Sequence, residues 1–396
     1  MPTSRPEPLT PRLLEWARSE RAAGVGLAAA TVAALLWANI DGVGYTRFWG
    51  TVPSWLGFSD LHFTARQWVN EALMTLFFVV IGLEIRRETT AGELGSWRRA
   101  AGPVLAGVAG MVVPALVYVA LVHDRPGGHG WGIPMATDVA FSLGALALVS
   151  GASLRLRVFL LTLAVADDIL SILVLVAVYS AAVDPALIAT GLVCLAVMVA
   201  VRTIRGPAGA MALVFGAAAW WTFARGGVEA AAVGVAIGIA GLASSARSGE
   251  AHHEGPRSWE RRLNPVVNVV VLPVFALANV GIDIGRLDLS STVAMRVFLA
   301  VLAARVVGKP LGVWLGATLL SGRFASSPGE PRTARTRLGL GTAASVGFTV
   351  PLLITRIAFG QGQLADSATA GLLVGTVVGL ALTAPLLRTD TPSPTR

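Results

Sequence analysis

Three carboxylates and one ammonium stand inside apolar runs, where a charge needs a reason to be. Residues 158–182 read VFLLTLAVADDILSILVLVAVYSAA, and their only charges are the adjacent Asp167 and Asp168. The run is long enough to cross a bilayer as a helix. A carboxylate at bilayer depth costs roughly 2.5 to 3.5 kcal/mol on insertion scales, so both acids must face protein or water. Neighbouring helical residues point about 100° apart. One acid can therefore look into a cavity while the other meets a partner on a second helix. A carboxylate pair offers a small cation charge and oxygen ligands, and the same oxygens bind protons.

A positive partner stands at similar depth. Lys309 is the only lysine in the chain and lies in VFLAVLAARVVGKPLGVWLGATLL together with Arg305, and neither residue fits a surface loop. A guanidinium stays protonated, whereas an ammonium is a compact charge that responds to burial. One lysine among thirty arginines therefore marks a site that wants an ammonium, and pairing with Asp167 or Asp168 follows.

A third acid, Asp138, sits beside Thr137 and four residues past Pro134 in WGIPMATDVAFSLGALALVS. Proline, threonine and flanking glycine mark a helix that can be interrupted, which frees carbonyls and exposes helix-end charge. Gly339, Gly341 and GFTVP around Thr349 repeat the features near the C-terminus. Interrupted stretches in corresponding positions of two halves are the mark of an inverted-repeat transporter, here about 98–182 and 292–388. In a crossing of two such helices, Asp138 would face two positive N-terminal ends and Lys309 two negative C-terminal ends.

The elements that must hold these residues are membrane helices. Hydrophobic residues make up 54% of the 396, charged residues 14%, and mean hydropathy is +0.69. No soluble domain of that length could hide so much apolar surface. Apolar runs fall at about 24–40, 68–85, 101–122, 131–150, 158–182, 185–201, 208–223, 227–243, 265–283, 292–317, 338–358 and 367–387, which predicts an all-α protein of about twelve transmembrane helices. Residues 1–23, with four arginines and three glutamates, read as a cytoplasmic tail and not a cleaved signal; 24–388 form the transporter domain, and 389–396 a second cytoplasmic tail.

With both tails and alternate loops on one face, 22 arginines fall there and 7 on the other. That bias puts the tails in the cytoplasm of a multi-pass plasma (cell inner) membrane protein. It also accounts for the +8 charge and the pI near 10.9 without nucleic acid. The single Cys194 excludes intrachain disulfides and thiol metal clusters. His62, His123, His129, His252 and His253 all fall in expected loops, and loop 41–67 allows a short surface hairpin.

ATDVAF with Asp138, AVADDI with Asp167 and Asp168, GKPLG with Lys309, GFT with Thr349, and FFVVIGLEIRRE ending in Glu88 together resemble the NhaA sodium/proton antiporters over about residues 15–388. The resemblance implies twelve helices with a crossing of interrupted spans 4 and 11, and export of sodium or lithium in exchange for protons. It makes Asp168 the principal ion ligand, Asp167 the acid that can pair with Lys309, and Asp138 with Thr137 part of the crossing. Glu84, Arg87, Glu88 and Glu260 fall at the family's cytoplasmic funnel, to which pH response is attributed. A homodimer through residues 41–67 is also implied; a resident cofactor is not. The sequence departs from the pattern at Arg261 and Asn264, where enteric members carry histidines, and at Glu71, where aspartate is usual.

If protons and sodium compete for one acid site, alternating access turns competition into exchange. Displacing protons from two groups with one monovalent cation moves net charge, which makes the exchange electrogenic. A channel would want a continuous polar pore, which these spans lack. A membrane-embedded enzyme would want a nucleophile or metal set, and no histidine or cysteine stands near Asp167. The reading therefore excludes an enzyme and leaves a sodium-coupled solute symporter of related architecture as the alternative.

Overall fold

The computed structural model describes residues 20–53, 62–123, 125–147, 149, 153–180, 183–201, 208–240, 255–288, 290–320, 331 and 333–387. Among these, every regular element is a helix. Six are each long and apolar enough to cross a membrane, and up to eight if each of two sharply bent pairs counts as one span. The first bent pair is α1 (Glu20–Ile40) and α2 (Gly42–Gly50), at 114°. The long helices α3 (Ala65–Thr90) and α4 (Trp97–Leu121) follow. Next comes an interrupted stretch: a 3-10 turn over His129–Gly132, non-helical backbone at 136–138, then α5 (Val139–Ala147).

Helix α6 (Leu154–Tyr179) carries the acid pair. Three apolar helices, α7 (Pro185–Val201), α8 (Ala208–Arg225) and α9 (Ala230–Ala240), lead to α10, which runs over Gly255–Val266, a widened turn Val267–Val271, and Leu272–Asn279. Then come α11 (Thr292–Leu319), the second bent pair α12 (Ala334–Ser345) and α13 (Thr349–Phe359) at 56°, and α14 (Gln363–Leu387).

The interruptions have local causes. Pro273 and Pro310 lack an N–H, and their rings collide with the carbonyl four residues back. The turn before each is widened to a π-type turn, Val267–Val271 and Ala304–Gly308, the usual accommodation of a proline within a helix. Between α12 and α13, Val346–Phe348 leave helical geometry altogether.

The described part of the 41–67 loop corrects one expectation. Residues 42–50 are a helix, not one arm of a hairpin. The side chain of Asp41 accepts the Gly44 N–H at 2.8 Å and caps the start, while Tyr45 and Trp49 turn inward against Trp37. Inward residues four apart are a helical pattern; a hairpin needs alternation. Residues 54–61 lie outside the described set.

Packing between α4 and α11 depends on small residues, which let helix backbones approach closely. A Cβ placed on Gly312 would overlap the carbonyl oxygen of Ala109, and one on Gly316 that of Leu105. Gly312→Val should therefore destabilise the protein by about 1–3 kcal/mol or more through overpacking. Gly24→Val, where nothing lies within 4 Å, should leave the midpoint of thermal unfolding in detergent unchanged.

Candidate functional site

Helix α6 starts under the cap of Ser153, whose hydroxyl accepts the Leu156 N–H at 3.3 Å, and its central residues from Leu163 to Asp168 are all buried. Asp167 is 0% and Asp168 4% exposed. Their neighbours differ. Lys309, 1% exposed on α11, donates from Nζ to Asp167 Oδ2 at 2.8 Å and also to the carbonyl of Met135. The other oxygen, Asp167 Oδ1, is buried and has no hydrogen-bond partner among the described residues.

Asp138 occupies the junction of the two interrupted stretches. Its Oδ2 accepts the Thr349 hydroxyl at 2.7 Å and the Thr349 N–H at 3.4 Å, and its Oδ1 accepts the Phe141 N–H at 3.4 Å. The carboxylate thus meets the N-terminal ends of both α5 and α13, where each helix presents unpaired N–H groups and positive charge.

The negative ends are met differently from the sequence expectation, which gave them to Lys309 alone. Arg305, inside the widened turn of α11, donates to the Ala136 carbonyl at 3.4 Å, the Gly347 carbonyl at 2.8 Å and the Ser345 carbonyl. Lys309 takes only Met135. The reason is reach. A guanidinium spreads its donors in a planar fork and can span several carbonyls, whereas the ammonium is a point donor already committed to Asp167.

Asp168 lines a cavity of about 240 Å³ together with Thr137, Asp138, Glu84, Arg87 and Glu260. The hydroxyl of Thr137 is buried, with no hydrogen-bond partner among the described residues. Asp167, Lys309 and Thr349 lie behind this wall and do not line it. At the end nearer the arginine-rich loops, Arg87 pairs with Glu260 at 2.6 Å, with Glu84 at 3.4 Å and with Glu88 at 3.6 Å. Asp138 and Asp168 of the intramembrane acids and Glu84, Arg87 and Glu260 of the charged mouth therefore share one cavity, which Glu88 does not line, and Asn264 from the departing motif lines it as well. None of His62, His123 or His129 lines it; His252 and His253 lie outside the described residues. Glu71 lies elsewhere, beside Glu229.

The sequence profile described as Na+/H+ antiporter 1 matches residues 15–387. The chain belongs to this family. It is 38% identical over 382 residues to the Na(+)/H(+) antiporter NhaA 2 of Frankia alni, covering 94% of this chain and 77% of that one. It is 36% identical over 417 residues to the Na(+)/H(+) antiporter NhaA of a Janthinobacterium species, covering 91% and 90% respectively. Against the Na(+)/H(+) antiporter NhaA 1 of Salinispora arenicola it is 37% identical over 387 residues, and the match spans 90% of this chain but 59% of that longer one.

Within this Na+/H+ antiporter chain, Arg305 is the site residue that sequence reasoning left without a partner. Its signal was the one that found Lys309, a charge inside an apolar run next to Pro310. What sequence could not supply was the position of the Ser345 and Gly347 carbonyls, forty residues away.

Removing one member of a buried ion pair strands the other, so Lys309→Ala should cost about 3–5 kcal/mol. Adding Asp167→Asn should return part of that loss. A thermal-melting cycle in detergent measures the coupling, and additive effects would mean that the two do not act as partners.

Proposed function

We propose that the chain exports Na+ (or Li+) across the plasma (cell inner) membrane in electrogenic exchange for H+, with the two ions competing for Asp168. The observation that carries this is the shared cavity. It connects the charged mouth at Glu84, Arg87 and Glu260 to a buried carboxylate that, among the described residues, has no ion-pair partner, beside the Thr137 hydroxyl, which has no hydrogen-bond partner among them. A dehydrated cation there would take charge from Asp168 and neutral oxygen from Thr137, while Asp138 and Thr349 hold the junction together.

Several finer features belong to the same reading. The chain would have twelve spans, both termini cytoplasmic, and a crossing of the two interrupted stretches. The inverted repeats about 98–182 and 292–388 draw support from their order: a long helix, an interrupted stretch and a long helix, twice over. Net charge moves if sodium displaces one proton from Asp168 and a second from the Asp167–Lys309 pair. Glu84, Arg87, Glu88 and Glu260 would tune the pH response through the local potential at the mouth, an effect that salt weakens. A homodimer would form through 41–67. The sodium-coupled symporter gains nothing from the relatives described above, each of which carries the name of an antiporter.

Asp168→Asn should abolish sodium-driven proton movement in proteoliposomes while the protein stays folded, since losing a buried charge also removes a desolvation cost. Normal exchange by that variant would defeat the assignment.

Competition fixes the sign of the pH dependence. At low pH protons hold the acids and sodium cannot load, so activity rises with pH, and raising sodium should move the activation curve toward acid. His252→Ala with His253→Ala should change little. A midpoint independent of sodium, or a profile flattened by the histidine changes, would point to a separate sensor.

A further inference from the structure

A second polar cavity, about 250 Å³, lies on the face opposite the arginine-rich loops and shares no lining residue with the first. Several segments converge on it, bringing among others Tyr45 of α2, Arg66 of α3, Asp283 from the segment after α10, Arg356 of α13 and Asp366 of α14. We propose that it is an oxyanion site that takes a phosphate, either of a lipid headgroup or free in solution, between Arg66 and Arg356.

The charges at its wall are not balanced from within. Asp283 is committed: its carboxylate accepts the N–H groups of Gly285 and Arg286 and pairs with Arg286 Nε at 3.2 Å. Asp366, in the first turn of α14, lines the same cavity and attracts both Arg66 and Arg356 from beyond ion-pair distance. Among the described residues, neither Arg66 nor Arg356 has a carboxylate within ion-pair distance.

Arg66 is buried and Arg356 half-buried. Arg66 is 8% exposed, with its guanidinium 5.8 Å from the Tyr45 ring centroid and its Nε buried without a partner. Arg356 donates to the Asn279 carbonyl, and its Nε is likewise buried and unpartnered. A buried charge is costly unless it is compensated, and three arginines against the two carboxylates Asp283 and Asp366 leave the wall with one positive charge in excess, which calls for an anion. The donor type selects the anion: planar forks match oxyanions in a bidentate way. The space fits too, since a water takes about 30 Å³ of liquid and this cavity is several times that. Ile40 and Val43 flank the lining residue Gly42 and are 82% and 61% exposed, which gives acyl chains an apolar surface beside the cavity.

The test is thermal unfolding of the full chain in detergent. Potassium phosphate is compared with potassium chloride at equal ionic strength, and dioleoylphosphatidylglycerol with dioleoylglycerol, which has the same chains without the phosphate. A ligand that binds only the folded state raises the midpoint saturably. A rise with phosphate, with the phospholipid or with both supports the site, and which of them acts identifies the source. The rise should vanish in Arg66→Gln and Arg356→Gln and shrink in Arg356→Lys, which keeps the charge but not the fork. Independently of any variant, phosphate or the phospholipid should slow phenylglyoxal modification of Arg66 and Arg356 in the wild-type protein, read by mass spectrometry. The proposal is overturned if neither raises the midpoint beyond its control, if the glutamine variants respond like wild type, or if neither slows the labelling.

Discussion

A charge taken into a low-dielectric interior must be compensated there, and the centre of this protein is arranged around that constraint. Asp138, Asp167 and Asp168 are buried carboxylates; Lys309 and Arg305 are buried cations. Asp167 is matched by Lys309, and Asp138 by the N-terminal ends of α5 and α13. Arg305 serves the C-terminal carbonyls. One negative charge is left over, on Asp168, which lines the cavity. An uncompensated carboxylate on a cavity wall is where we propose that a sodium ion or a proton binds.

The interruptions make this compensation possible. Continuous helices would present only side chains at this depth, because their backbone groups bond internally. Breaking two of them places N–H groups and carbonyls next to each other within a few ångströms of Asp138 and Arg305. The prolines and small residues have a structural reason of their own. Pro310 widens the turn that carries Arg305, and Gly312 lets α11 approach α4. The charged residues and the backbone distortions are thus parts of one arrangement, and a change in either disturbs the other.

Much of the site was legible in the sequence because a charge in an apolar run is costly enough to be informative without a structure. That signal located Asp138, Asp167, Asp168 and Lys309, and the proline and glycine pattern located the interruptions. Partners far apart in sequence were less legible. Arg305 was noticed but not matched to the carbonyls of α12. Arg66 and Arg356 were counted among topology residues, because hydropathy places a residue along the membrane normal but does not say which side of a helix faces protein. Glycine and aromatic content in 41–67 suggests a hairpin, whereas the Asp41 cap and the inward pair Tyr45 and Trp49 make a helix of Gly42–Gly50. The cavity joining Glu84, Arg87 and Glu260 to Asp168 is a property of four packed helices and has no sequence signature.

The central claim is that sodium and protons occupy the same carboxylate. It is tested most directly without transport, by adding sodium chloride to the purified wild-type protein in weakly buffered detergent and measuring the protons released. Choline chloride at equal ionic strength is the control. Competition at Asp168 predicts stoichiometric, saturable proton release that needs more sodium as pH falls. Saturable binding of 22Na+ with no proton release at any pH would contradict it.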